Sequence, residues 1–250
     1  MTNRNWADSF KLHLRVGDQI GLAIMRGEFA PGSILPTEAQ FCQTLGVSRT
    51  AVREAVRGLI AKGLVEARSK LGTRVRAPED WNQMDPDVLK WRIQLADTST
   101  YLEKMFQLRN AVEPAAAENA AMYAREVDHD RLSEAFGLME AAGDDNAAWV
   151  EADLAFHKCI YIATRNEFFW PIGQLFEIGL REMFSIAALG QHRPRALEEH
   201  RDLRDAILRK DPAAAREAAQ VMLGNARTDI DIIREPTGTK PKRSADRAGE

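Results

Sequence analysis

Apolar residues at Leu12, Val16, Ile20 and Ile24 recur every fourth position along residues 11–26, which predicts an amphipathic helix. The stretch GEFAPGSILPTE that follows carries two prolines and two glycines and breaks this period. Thr37 with Gln40 three residues later has the form of a capping box, so a short second helix is expected through Leu45, with Gly46 making the turn. A third helix is expected from about Ser48 to Lys62, with Val52, Ala55, Val56 and Leu59 facing inward. The period then shortens. Val65 and Ala67, then Thr73 and Val75, alternate around the loop Ser69–Gly72, the pattern of a small β-hairpin. In this order the elements predict a winged helix-turn-helix over residues 10–77.

The next segment, APEDWNQMDP, has two prolines, three acids and no period, and residues 78–90 are expected to form a hinge. From there to about Arg234 the pattern is helical almost throughout. Six or seven helices are expected, starting near Pro86, Ser99, Asp128, Asn146, Phe168, Pro194 and Asp211, and no strand is expected after residue 77. Asp211-Pro212 is an N-cap followed by proline at the first helical position. The fold class is therefore mainly α: the winged domain, then an all-α antiparallel helical bundle over residues 91–234. The polar tail, residues 235–250, is expected to be disordered.

Charge sharpens this division. The overall formal charge is −3, but residues 1–77 carry +6 and the remainder −9. A basic front on an acidic body fits a first domain that meets a polyanion and a second that does not. In the third helix Arg49, Arg53 and Arg57 recur at i, i+4 and i+8 and share an outward face with Thr50. Such a face is either solvated or presented to DNA. The turn, the wing and the charge asymmetry favour a recognition helix, with Lys70 and Gly72 letting the wing approach the backbone or minor groove. No apolar run approaches the ~20 residues of a membrane span, and MTNRNWADSF has no apolar signal core. A cytoplasmic protein without a membrane partner is expected. Cys42 and Cys159 show no metal or redox spacing.

The helical part places polar residues where apolar ones are expected. Asp153 and His157 fall within the stripe of Trp149, Ala152, Phe156, Ile160 and Ala163. His200 lies between Leu197 and Leu203 on another stripe, and Asn225 follows Ala215, Ala218 and Met222 on a third, while His13, His129 and His192 lie outside such stripes. A buried carboxylate must find donors or a cation. Two readings are open: an Asp–His hydrogen bond in the core, or one cation shared by residues from three helices. Arg109 sits on the stripe of Met105, Val112 and Ala116, and its partner is either Glu113 one turn along or the carboxylate of a ligand.

The runs GEFAPGSILPTE, LGVSRTAVREAV, GLV and GTRV resemble the GntR family of bacterial transcription regulators, and the helical remainder resembles the effector-binding domain of its FadR subfamily. The resemblance implies a homodimer that reads pseudo-palindromic operator DNA, with Ser48, Arg49, Thr50 and Arg53 in contact with it. Several relatives have arginine where this chain has Ala39, so one contact from the second helix is missing. It also implies a divalent metal ion held by Asp153, His157 and His200, with Asn225 where a third histidine usually stands; zinc leads, with manganese, nickel and magnesium as alternatives. Arg109 matches an effector-binding position. The segment WNQMDPDVLKW resembles that of relatives responding to galactonate or gluconate, so the expected effector is a small carboxylate of the aldonate or uronate class; lactate, other organic acids and amino acids are alternatives. Together these imply a repressor released from its operator by that carboxylate, and no enzyme. The rival reading is a metal-dependent hydrolase or lyase with an appended DNA-binding module, for which Glu113 is the only spare inward base. A third is a purely architectural DNA binder.

Overall fold

The structure is a computed structural model that describes the backbone of residues 3–187 and 193–234, with side chains in 12–97, 100–181 and 193–229. The tail 235–250 and His192 lie outside the described residues. Ten helices and one hairpin are formed among the described residues: α1 (Asn3–Met25), α2 (Glu38–Leu45), α3 (Arg49–Ala61), β1 (Val65–Arg68), β2 (Gly72–Val75), α4 (Pro86–Leu95), α5 (Thr98–Tyr123), α6 (Glu126–Ala141), α7 (Asn146–Ala163), α8 (Trp170–Ala187), α9 (Arg193–Leu208) and α10 (Pro212–Arg234). The mainly α architecture is thus as expected. The described residues form two compact units, one of residues up to Met105 with Trp170–Gly179, the other of Phe106–Phe169 with residues from Leu180 onward.

In the first unit, α1 buries Val16, Ile20 and Ile24 against Phe41 of α2 and Val52, Ala55 and Leu59 of α3. The capping box forms at Thr37, whose hydroxyl accepts from Gln40 N–H while the Gln40 side chain accepts from Thr37 N–H. Gly46 closes α2 in the left-handed region at φ 66°. Ser48 caps α3 by accepting from Ala51 N–H at 3.2 Å. The hairpin pairs Val65 with Val75 and Ala67 with Thr73. The residues before α2 extend it, since Leu35 N–H donates to Thr73 O and Val75 N–H to Ser33 O.

The segment expected as a hinge, residues 78–90, packs into this same unit. Trp81, Val88 and Trp91 belong to its buried core. Lys62 pairs with Asp85 at 3.0 Å and Asp87 at 2.8 Å. Trp91 lies over Gly21, where an added Cβ would come within 2.5 Å of the ring, and its indole N–H donates to Asp18 at 3.0 Å. The helix α4 is thereby locked onto α1.

In the second unit, α6 packs on α7, α9 on α10 and α6 on α9. Phe136 and Phe156 meet edge to face in its core, and Leu132, Met139, Leu203 and Ile207 are buried as well. The first turn of α6 begins at Glu126, slightly ahead of expectation. Asp128 accepts from Arg125 N–H at 2.9 Å and from the Arg165 guanidinium, tying the start of α6 to the end of α7.

Candidate nucleic-acid interface and candidate metal centre

Helix α3 puts Ala51, Val52, Ala55 and Leu59 inside and leaves Arg49, Thr50, Arg53 and Arg57 exposed. Arg57 is paired with Glu54 at 2.7 Å. Arg49 and Arg53 have no ion-pair partner among the described residues, so both are free to meet phosphate or a base edge. They sit at the N-terminal end of the helix, where the unpaired N–H groups also favour an anion. At the wing tip Lys70 (φ 64°) and Gly72 (φ 101°) both adopt the left-handed region, which turns the hairpin tightly and exposes the Lys70 ammonium.

In the second unit, α7 carries Asp153 and His157 one turn apart on its buried face, and α9 brings His200 to them. His157 Nε2 lies 3.3 Å and His200 Nε2 3.2 Å from the same atom, Asp153 Oδ1. Two ligands ~2.1 Å from a tetrahedral ion stand about 3.4 Å apart, so these spacings suit a shared cation. The three ligand atoms lie within 4.8 Å of one another. The second ring nitrogens fit as well. His200 Nδ1 is 2.6 Å from the Ala196 carbonyl, which can only accept, so Nδ1 carries the proton. His200 Nε2 is then left either to donate to Asp153 or to offer its lone pair to a cation. His157 Nδ1 lies 3.6 Å from Glu113 Oε2.

Both imidazoles stand on the Asp153 carboxylate. Burial opposes the Asp153 charge, but the hydrogen bonds from His157 and His200 hold its carboxyl well below the usual carboxylate range. Burial likewise opposes the charged form of His200, and the Asp153 carboxylate outweighs it and raises the imidazole's pKa. Phe156 packs edge-on to both imidazoles, 5.0 Å from His200 and 6.1 Å from His157 between centroids. The donor set, one carboxylate oxygen and two imidazole nitrogens in a buried apolar shell, fits a divalent ion of the zinc type.

Beside the triad, Arg109 is only 2% exposed and Glu113 5%. The Arg109 Nε–H donates to Glu113 Oε1 at 2.5 Å and Nη2–H to Oε2 at 3.2 Å. A cavity of about 10 Å³ is lined by Glu113, His157, Tyr161, Leu203 and Met222 among others; it holds one water at most.

A model of the bacterial regulatory proteins, gntR family, matches residues 12–75, and one of the FCD domain matches residues 104–225. The galactonate operon transcriptional repressor of Escherichia coli K12 is 34% identical over 218 residues, which span 85% of this chain and 93% of that protein. The chain belongs to the GntR family. Its FCD domain makes it a FadR-type member. The E. coli repressor NanR is 28% identical over 239 residues, covering 92% of this chain and 88% of NanR. Among solved structures, Lar of Listeria monocytogenes has 18% identity and a TM-score of 0.58 over 88% of this chain and 96% of its own. A GntR protein of Streptococcus agalactiae has 23% identity and a TM-score of 0.50, over 88% and 99%. Both share the fold.

The GntR-family chain is therefore a DNA-binding transcription regulator and not an enzyme. Asp153, His157 and His200 come together, and Arg109 takes Glu113 as its partner. Asn225 is engaged elsewhere: its amide donates to Glu199 Oε1 at 2.6 Å. Burial raises the Glu199 pKa, and the Asn225 hydrogen bond acts against that rise. One residue and one contact beside the site escape sequence reasoning. Tyr161, one turn beyond His157, is buried against the cavity, and burial pushes its hydroxyl far up. Its place on the α7 stripe was a usable signal. The approach of Glu113 to His157 had none, because it spans two helices. Among the described residues no helix is long and apolar enough to cross a membrane.

Proposed function

We propose that this regulator is a dimeric repressor of a sugar-acid catabolic operon, released from its operator when a small carboxylate binds in the helical unit. The observation that carries this reading is the buried Asp153–His157–His200 triad beside Arg109, a guanidinium sunk in the core next to a cation-ready donor set. The name of the E. coli galactonate repressor supports an aldonate or uronate as the effector. Ser48, Arg49, Thr50 and Arg53 of the α3 end, with Lys70 and Gly72 of the wing, are the proposed operator contacts. In a dimer they would address two half-sites about 34–36 Å apart.

Asp153, His157 and His200 would hold a divalent ion, zinc first and manganese, nickel or magnesium next. Bound there, the ion supplies a Lewis acid for effector oxygens. Asn225 is a further candidate ligand; with its nitrogen engaged by Glu199, only Oδ1 remains to offer. Arg109 orients the effector carboxylate through a two-pronged hydrogen bond. If the ligand favours the DNA-free arrangement, its differential affinity shifts the population.

The test is operator release measured with galactonate and other sugar acids. The wild type is expected to bind a divalent ion and to leave the operator on adding one of these acids. H157A and H200A proteins should keep operator binding, lose the ion and ignore the acid. Ion-free wild type that responds fully to the acid would sink the metal-centred reading. Failure of every sugar acid would sink the effector class.

A further inference from the structure

We propose that Glu113 is a positioning residue that couples the effector to the cation, holding Arg109 in the ligand-free protein and turning to His157 when a ligand carboxylate takes Arg109. The inference rests on the reading above, in which Arg109 receives the carboxylate and the triad holds the ion. It begins from the form of the Arg109–Glu113 pair. Both Glu113 oxygens are engaged, Oε1 by Nε–H at 2.5 Å and Oε2 by Nη2–H at 3.2 Å. This is one of the guanidinium's two carboxylate-binding edges, and an incoming carboxylate that uses it competes with Glu113. Glu113 is therefore an internal competitor for the guanidinium, lying one helical turn from it on α5.

A ligand carboxylate that takes the Nε/Nη2 edge of Arg109 displaces Glu113 from it. A space of about 10 Å³ beside Glu113, His157 and Tyr161 cannot take a six-carbon acid. Once displaced, Glu113 is a buried carboxylate in need of a donor, and leaving it unpaired would be costly. His157 Nδ1 stands 3.6 Å from Oε2, just beyond an N–H···O bond, so a small side-chain rotation brings the two together. His200 shows what such an anchor looks like, its Nδ1 lying 2.6 Å from the Ala196 carbonyl.

A carboxylate that accepts from His157 Nδ1–H fixes the ring and makes Nε2, which faces Asp153, a stronger donor to a cation. Effector binding then tightens the ion, and by linkage the ion tightens the effector by the same factor. A neutral sugar or lactone lacks the charge to displace Glu113 and gains nothing from this route.

The experiment is a pair of calorimetric titrations on the full chain: zinc with and without galactonate, and galactonate with and without zinc. In the wild type each ligand should tighten the other by about 10–100-fold, the usual worth of such a partner to a metal-bound histidine, and galactonolactone should show no coupling. E113Q should still bind both, with the coupling close to one and galactonate bound more tightly in the absence of zinc. A second measurement needs no substitution: the His157 Nδ1–H proton resonance of zinc-loaded wild type should move downfield when galactonate is added. Full coupling in E113Q, loss of zinc by E113Q, or an unmoved resonance overturns the proposal while the reading above stands. A wild type that binds neither zinc nor galactonate overturns both.

Discussion

Arg49 and Arg53 are exposed and without ion-pair partners among the described residues, whereas Arg57 is paired to Glu54 and Arg109 is sunk in the core. The same side chain thus has three roles set by surroundings: a free charge for another molecule, a surface pair worth little, and a buried pair that must stay satisfied. R49A or R53A should each weaken operator binding by about 1–3 kcal/mol if the arginine reads a base edge. The melting temperature should be unchanged, because neither side chain supports the fold. Binding assays on matched operators check this, and unaltered affinity would remove α3 as the reading helix. Asp153 makes the complementary point. A charge in the core is tolerated there because two imidazole nitrogens stand on one of its oxygens.

At the scale of elements, the winged unit owes much to α4. Its stripe of Val88 and Trp91 completes the core begun by α1 and α3, and Gly21 is what lets the indole approach α1 so closely. G21A would place a methyl group within 2.6 Å of two ring atoms of Trp91, which is held in place by Asp18. The substitution should destabilise this unit by about 1–3 kcal/mol, the range for overpacking. Thermal denaturation reads the loss, and faster proteolysis within residues 77–86 would show α4 detaching. Unchanged stability would mean that the Trp91 contact contributes little to holding α4.

For the whole molecule the decisive quantity is the charge imbalance between the first 77 residues and the rest, +6 against −9. Only the first segment gains from a polyanion, so operator binding should weaken steeply with salt. The slope of log K against log salt concentration should shrink by about one for each lysine or arginine that meets a phosphate. A K70A protein is the direct check, and an unchanged slope would take Lys70 off the DNA. The family assignment, carried by the matches to residues 12–75 and 104–225, spans the same two portions that the charge separates.

Much of this protein is written locally. Helix periods, the Thr37–Gln40 box, the turn at Gly46 and the Val65/Val75 alternation depend on residues a few positions apart, and the structure reproduces them. The inward placing of Asp153, His157, His200 and Arg109 was legible for the same reason, since each interrupts an apolar stripe on its own helix. What the sequence could not decide is which stripes face each other. Packing alone brings His200 to Asp153 across 47 positions and Glu113 to His157 across two helices. It also gives the Asn225 amide to Glu199 and buries Trp81 and Trp91 in the core of the winged unit. Local periodicity fixes where a side chain points on its helix. Only the crossing of helices, driven by burial of their apolar faces, selects the partner it meets.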